Sequence, residues 1–342
     1  MAEKTIRVGI IGAGDNTRKK HIPGLQAIPG VEIVSVCNRT PESSKRVADE
    51  FGIQTVYHNW WELVDAGDTD AVMIGTWPYM HERMTVRALN AGKHVMCEAR
   101  MARNLSEAQS MLAASKAKPH LVAQIVPSPF SLGVDKAIQR LLAEGYIGDP
   151  LVIEIRAGST FSNPDAPMHW RQDYDLSGLN IMAMGIWYEA LMRWVGEANE
   201  VSAMGKVFTK MRKDANGVMK AVRVPEHIDV LANMNCGAQL RLTVSSVTGL
   251  AGPDVATIYG SKGTLRFTGG QLLGAQKGAD ALQPVEIKPG EAGSWRVEEE
   301  FINAIRGKEV ITHTDFETGV KYMAFTEAVS RSMVEGRTVS VW

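Results

Sequence analysis

Apolar positions along the chain fall into short runs punctuated by glycine, proline and asparagine, and their grammar changes near residue 126. In the first third, the runs ending at Ile11, Val36, Ile74, Cys97 and Val126 are continuous and rich in β-branched residues, as strands buried on both faces are. Helix-forming segments lie between them. Pro41–Phe51 stops at Gly52, Glu82–Asn90 ends at Gly92, and a helix capped by Asn104 or Ser106 reaches Ala117. This alternation predicts a mainly parallel sheet with helices on both faces.

Beyond Val126, Pro127-Ser128-Pro129 breaks the alternation, and a helix is expected over Val134–Ala143. Leu151–Gly158, Val201–Thr209, Ile228–Met234, Gln239–Ser246, Val255–Tyr259 and Thr264–Phe267 read as antiparallel strands. Ile181–Val195 reads as a strongly apolar helix, and Trp295–Ile305 and Gly319–Glu335 are helical again. The expected fold class is α/β: a dinucleotide-binding domain over residues 1–126, then an α+β domain over 127–342 with a large open, mostly antiparallel sheet.

The turn after the first strand carries the chemistry. Gly12-Ala13-Gly14-Asp15-Asn16-Thr17 follows a strand and precedes a helix and a second strand, the order of a dinucleotide-binding βαβ unit. Gly12 suits the tight turn, and Gly14 lets the backbone approach a pyrophosphate at the helix N-terminus. Thr17 departs from the pattern, standing where a third glycine usually sits.

Composition narrows the picture. With 342 residues, 45% of them hydrophobic and 22% charged, the chain suits two globular domains, each with its own core. A net charge of −1 offers no global attraction to nucleic acid or to an anionic membrane, and Arg18-Lys19-Lys20 reads as a solvated helix face. Cys37, Cys97 and Cys236 match no zinc spacing, and two of them end expected strands as buried reduced thiols. No signal peptide and no membrane-length apolar run are visible, so the expected location is cytoplasmic.

With these segments placed, the chain resembles the glucose–fructose oxidoreductase / inositol dehydrogenase / rhizopine-catabolism (Gfo/Idh/MocA) family over essentially its whole length. The resemblance is carried by VGIIGAGDNTRKKHIPGL, DAVMIGTWPYMHERMTVRALNAGKHVMCEA, HWRQDYDLSGLN, IYGSKGTLRF and EAVSRSMVEGRTVSV, in that order. It implies a Rossmann domain, and a substrate-binding domain whose open sheet often makes the subunit interface of a homo-oligomer, dimer or tetramer. It also implies hydride transfer between a nicotinamide and a small-molecule sugar, cyclic polyol or dihydrodiol. The cofactor would be held by Gly12, Gly14, Asp15, Asn16 and Thr17, by Thr76, Trp77, Pro78 and His81, and by Glu98.

The second strand ends Val36-Cys37-Asn38-Arg39-Thr40, with no carboxylate to read the adenosine ribose. Arg39 could pair with a 2′-phosphate while Asn38 and Thr40 offer neutral hydrogen bonds, so the expected cofactor is NADP, with NAD possible.

Relatives carry Glu-Lys-Pro after the strand that ends at Cys97, whereas this chain reads Glu98-Ala99-Arg100. They also place Asp and His four residues apart on the substrate helix, where Ala183 and Trp187 stand here. Proton transfer needs a titratable group within reach. Arg100, His169 and Tyr188 are the candidate replacements, with Glu189 a further one if the helix is rotated. Arg171 would anchor substrate. Asn180 and Trp187, on the same helical face as Ala183, would order hydroxyls and stack on a sugar. Two other readings stay open: redox-assisted elimination or epimerisation of a sugar, and a regulatory protein that binds NADP without turnover.

Overall fold

In the computed structural model, which describes residues 4–342, the apolar runs of the first third assemble into one sheet. Strands β1 (Ile6–Ile11), β2 (Val31–Cys37), β3 (Thr55–Val56), β4 (Ala71–Ile74), β5 (His94–Cys97) and β6 (Ala123–Ile125) stand in the order β3-β2-β1-β4-β5-β6, each pair parallel. The order reverses between β1 and β4, and ligands of such sheets bind beyond the strand ends at that switch point. The helix Pro41–Phe51 starts on a Thr40 cap and stops at Gly52, whose φ is 69°. The helix expected from Glu82 starts earlier, at Pro78, because proline is preorganised for the first helical turn.

Two compact units result: the chain up to Pro127 with Arg296–Val320, and Ser128–Trp295 with Lys321–Trp342. The segment Arg296–Val320, assigned from the sequence to the second domain, therefore packs with the first unit. Thr314 O accepts from the Ile125 amide at 3.0 Å, and Glu300 Oε2 accepts from Gln124 Nε2 at 2.8 Å. The helix Val297–Ile305 buries Val297, Phe301 and Ile302. Local periodicity cannot reveal a partner 176 residues away.

The second unit is built on a nine-stranded sheet. Its strands are β7 (Pro150–Ala157), β8 (Ala198–Lys206), β11 (His227–Met234), β12 (Gln239–Ser245), β13 (Val255–Gly260), β14 (Gly263–Thr268), β15 (Gln271–Gln276), β16 (Gln283–Pro284) and β17 (Val339–Ser340). The short strands β9 (Met211–Lys213) and β10 (Met219–Ala221) form a separate hairpin. The sheet order is β16-β15-β14-β13-β7-β12-β11-β8-β17; β7 and β12 pair in parallel and the other neighbours antiparallel. Along β11, Ile228, Val230, Ala232 and Met234 are buried while Asp229, Leu231 and Asn233 face outward, so one face is core and the other open.

The helix Met184–Val195 belongs to this core. Trp187 and Trp194 lie 6.3 and 6.5 Å from Phe267, and Tyr188 stacks on Phe325 at 3.6 Å. It begins later than the expected Ile181 because Met182 takes a left-handed φ of 42°. Asn180 is therefore not on the helix, which corrects the shared face expected for Asn180, Ala183 and Trp187. Buried charge fixes the helix to its neighbour Asp135–Ala143. Arg193 donates to Asp135 Oδ2 at 2.8 Å and to Glu189 Oε1 at 3.0 Å, and Trp194 Nε1 donates to Asp135 Oδ1 at 2.6 Å. Among the described residues no helix is long and apolar enough to cross a membrane, and no group of three or more His, Cys, Asp and Glu could hold a metal.

Removing Asp135 strips both Arg193 and Trp194 of a buried acceptor. Arg193 keeps Glu189, but Trp194 is left without its buried acceptor, so Asp135→Ala should cost about 1–3 kcal/mol in urea unfolding, and Asp135→Asn distinctly less. No measurable loss for the alanine variant would show that another acceptor replaces Asp135.

Candidate functional site

The glycine turn is set by close packing. Gly12 has φ 83°, and a Cβ there would lie 2.6 Å from Thr76 Cγ2 and 2.8 Å from the Thr76 amide nitrogen, so the position admits glycine alone. A Cβ on Gly14 would meet only Gly75 O, at the ordinary contact distance of 3.8 Å, so the backbone there is uncrowded. Helical backbone runs from Asp15 through a π-helical turn at Thr17–His21 to Gln26. Thr17 is buried, and its hydroxyl donates to Gly12 O at 3.3 Å. A Cβ on Gly75 would collide with that hydroxyl. It would also collide with Gly12 O, so Gly75, beyond the end of β4, yields the space that both Thr17 and the glycine turn occupy. The cradle fits a pyrophosphate.

At the end of β2 the polar side chains divide. Asn38 Oδ1 accepts from the Ala13 amide at 2.7 Å and Nδ2 donates to Ser43 O at 3.2 Å, so Asn38 staples the glycine turn to the second strand. Thr40 Oγ1 accepts from the Ser43 amide at 3.2 Å and is the helix cap. Arg39 is exposed and makes no hydrogen bond or ion pair among the described residues. Glu42, in the first helical turn, is held below the usual carboxylate range by its own amide and by the Thr40 hydroxyl.

The Thr76-Trp77-Pro78 turn is braced by His81. Its buried ring places Nε2 2.9 Å from Thr76 O and Nδ1 2.9 Å from Arg100 O, tying together the segments that leave β4 and β5. Burial lowers its pKa, against the pull of both carbonyls. Trp77 is the half-buried cap of the helix that follows.

Beside the turn lies a charged cluster. Glu98 Oε1 accepts from Asn16 Nδ2 and from His21 Nε2, the latter at 3.0 Å, while Oε2 accepts from the Ala99 amide at 3.1 Å. The other ring nitrogen, His21 Nδ1, lies 2.5 Å from Glu298 Oε1. Burial alone would lower the His21 pKa; the two carboxylates outweigh it and raise the imidazolium to about 9. Burial would likewise raise Glu98, but His21, Asn16 and the Ala99 amide hold it below its usual value. Neither His21 nor Glu298 stands out in the sequence. His21 sits within a segment that resembles the family's first helix, and Glu298 lies in a segment read only as helical, 277 residues from its partner.

In the second unit, Ala183 precedes the helix and Trp187 is buried with its ring 5.0 Å from Phe130. The Trp187 indole N–H has no acceptor among the described residues. Asn180 is buried and donates to Ser177 O at 2.7 Å. Tyr188 has no solvent exposure, and its hydroxyl accepts from the Ala198 amide at 2.8 Å. Burial pushes its phenol well above the ordinary value. The structure thus places Tyr188 in the core, away from solvent, with its hydroxyl already engaged. Glu189 is committed to the Ser128 amide at 3.0 Å and to Arg193. Arg100 is fully buried, its peptide bond with Ala99 is cis, and an arginine stays protonated.

His169 is exposed, and its Nδ1 accepts from the Arg171 amide at 3.2 Å. Partial burial and the Arg171 cation lower its pKa. The Arg171 guanidinium lies 4.2 Å over the Trp170 ring. Lys220 anchors this loop through Asp173 at 2.7 Å and Asp175 at 2.9 Å. Among Arg100, His169 and Tyr188, His169 alone is a solvent-exposed group that can exchange a proton.

A family model described as an oxidoreductase family with an NAD-binding Rossmann fold matches residues 6–125, and one for the GFO/IDH/MocA C-terminal domain matches residues 136–266. The chain is similar to inositol 2-dehydrogenase of Serratia proteamaculans (strain 568), at 26% identity over 258 residues, 72% of this chain and 73% of that protein. It is also similar to trans-1,2-dihydrobenzene-1,2-diol dehydrogenase of Bos taurus, at 26% identity over 254 residues, 72% and 71% of the two chains. A levoglucosan dehydrogenase solved with NADH and L-sorbose shares the fold, with a TM-score of 0.86 at 21% identity over 99% of each chain.

The raised pKa of His21 makes a stability prediction. Its folded value of about 9 exceeds the ordinary 6.5, so its contribution is complete below the lower value and lost as pH rises through the upper one. Urea unfolding across that window should show stability falling with pH. His21→Gln should flatten the slope; an identical slope in the variant would assign the effect to another group.

Proposed function

The chain belongs to the Gfo/Idh/MocA oxidoreductase family, and from that premise we propose that it moves hydride between a nicotinamide dinucleotide and a CH–OH group of a sugar, cyclic polyol or dihydrodiol. The observation that carries this reading is the intact cofactor half: Gly12 closed against Thr76, an uncrowded Gly14 backbone, and Glu98 held beside Asn16. The nicotinamide, when bound, supplies or takes up the hydride. Gly12, Gly14, Asp15, Asn16 and Thr17 would cradle its pyrophosphate, with Thr76, Trp77, Pro78, His81 and Glu98 shaping the adjoining wall. On the substrate side, Arg171 would bind oxygen atoms, and the buried Trp187 N–H is a donor that a substrate hydroxyl would satisfy. His169 would exchange the hydroxyl proton. The open sheet face, with Leu231 and Met204 exposed, would join subunits of a homo-oligomer.

The cofactor would be NADP rather than NAD. Arg39 is unengaged at the end of β2, and no carboxylate ends that strand; Glu42, near the Thr40 hydroxyl, opposes a 2′-phosphate and would limit the preference. A second reading, cofactor binding without turnover, draws support from the withdrawal of Arg100, Tyr188 and Glu189 from solvent.

Incubation with sugars, inositols and dihydrodiols, read by nicotinamide absorbance and by product mass, separates these readings. Net redox changes both signals, elimination or epimerisation changes the product alone, and ligands recovered unchanged throughout would establish the binding protein. His169→Ala should lower turnover about 10²–10⁴-fold, and Tyr188→Phe only a few-fold. Turnover retained in the His169 variant would exclude it as the proton-exchanging group. Arg39→Ala should weaken NADPH about ten- to hundredfold and leave NADH unchanged, the worth of one charge-assisted contact. Equal affinities in the unmodified protein would refute the NADP preference.

A further inference from the structure

The cluster of Glu298, His21 and Glu98 is graded from interior to surface. The His21 side chain is 0% exposed, Glu298 6% and Glu98 15%, so the opening of the cluster is at Glu98. Gly24 makes the inner end possible, because a Cβ there would lie 2.9 Å from Glu298 Cδ. Two carboxylates around one imidazolium are a poor means of stabilising a fold, since apolar side chains of similar volume usually do as well or better. The cluster ends instead on a functional element. Glu98 Oε1 is shared between His21 and Asn16, and Asn16 lies in the helical turn that opens directly after Gly14.

We propose that Glu298 and His21 are positioning residues for the dinucleotide site: Glu298 keeps both ring nitrogens of His21 protonated, and His21 then holds Glu98 and Asn16 in the arrangement that receives the cofactor. This rests on the reading above that the glycine turn and Glu98 bind the dinucleotide. A neutral imidazole has one N–H, and here its two nitrogens face carboxylates from two different elements, 2.5 and 3.0 Å away. Loss of the ring proton removes the His21 donor from either Glu98 or Glu298. If Glu298 keeps the remaining N–H through the shorter contact, Glu98 retains only Asn16 and the Ala99 amide, and its Oε1 and Asn16 are no longer fixed against the ring. The groups that face this ring are Asn16 from its own helix, Glu98 at the end of β5, and Glu298 from the helix Val297–Ile305. His81, on the helix Pro78–Asn90, and the buried Cys97 thiol, in β5, both feel the Glu98 charge.

The test measures NADH and NADPH affinity by fluorescence titration across pH, together with the imidazole titration of His21 by NMR. In the unmodified protein, affinity should hold to about pH 8 and fall roughly tenfold as His21 loses its proton near 9. Glu298→Gln keeps the shape and an acceptor but removes the charge. It should bring the His21 titration down by about one unit or more and move the affinity loss down with it, leaving affinity at about pH 6 unchanged. Glu98→Gln should weaken binding at every pH and abolish the pH step. If Glu98→Gln weakens binding while Glu298→Gln shifts His21 and leaves the affinity profile as it was, the positioning role is overturned and the cofactor site stands. If Glu98→Gln has no effect on binding, the placement of Glu98 in the cofactor site fails, and the proposal with it. Should Glu298→Gln not fold, the unmodified protein decides: affinity constant through about pH 10, with the fold intact by circular dichroism, overturns the proposal.

Discussion

Space beyond the end of β1 is the constraint to which the first unit is fitted. Gly12 is closed against Thr76, and Gly75 yields the volume that Thr17 occupies, so the ends of β1 and β4 and the start of the first helix approach as nearly bare backbone. Other contacts lock this arrangement from the sides. Asn38 ties the turn to β2, His81 joins the segments after β4 and β5, and Glu98 reaches Asn16 from the end of β5. Each is a polar bond made where apolar strands have just ended, which is where backbone groups still need partners.

The chemistry of the second unit is shaped by what its helix has given up to the core. Tyr188 spends its hydroxyl on the Ala198 amide, and Glu189 joins the Arg193–Asp135 network. These groups hold the helix Met184–Val195 to its surroundings, and the same bonds keep them buried and engaged. The loop carrying His169 and Arg171 is tied down differently, through Lys220 with Asp173 and Asp175, which leaves its own histidine at the surface.

Much of this was legible in the sequence. The strand His94–Cys97 and the helix Pro41–Phe51 have the limits their apolar pattern and caps indicate, because both are fixed by local signals: a continuous buried run, a Thr-Pro start and a left-handed glycine stop. Two kinds of feature were not. Backbone breaks such as Met182, whose φ of 42° delays the helix and removes Asn180 from its face, leave no mark in composition. Long-range pairs such as His21 with Glu298 are equally silent, since an acidic run looks solvated until a distant histidine is brought against it. Thr17 was legible as a departure, yet its compensation at Gly75 was not, because that depends on β1 and β4 being neighbours.

The return of Arg296–Val320 to the first unit bears on how the chain is made. During synthesis the first six strands emerge well before the segment that covers β6 and supplies Glu298, and the whole of Ser128–Trp295 must leave the ribosome in between. Until then the β6 edge lacks its partner at Thr314, and His21 faces Glu98 without its second carboxylate. The second unit waits in turn for Lys321–Trp342, whose Phe325 lies under Tyr188. Neither half can finish as an independent N-terminal domain would. Segments beyond Trp295 close both, and a ribosome that stalls before Arg296 leaves two unfinished cores rather than one complete domain.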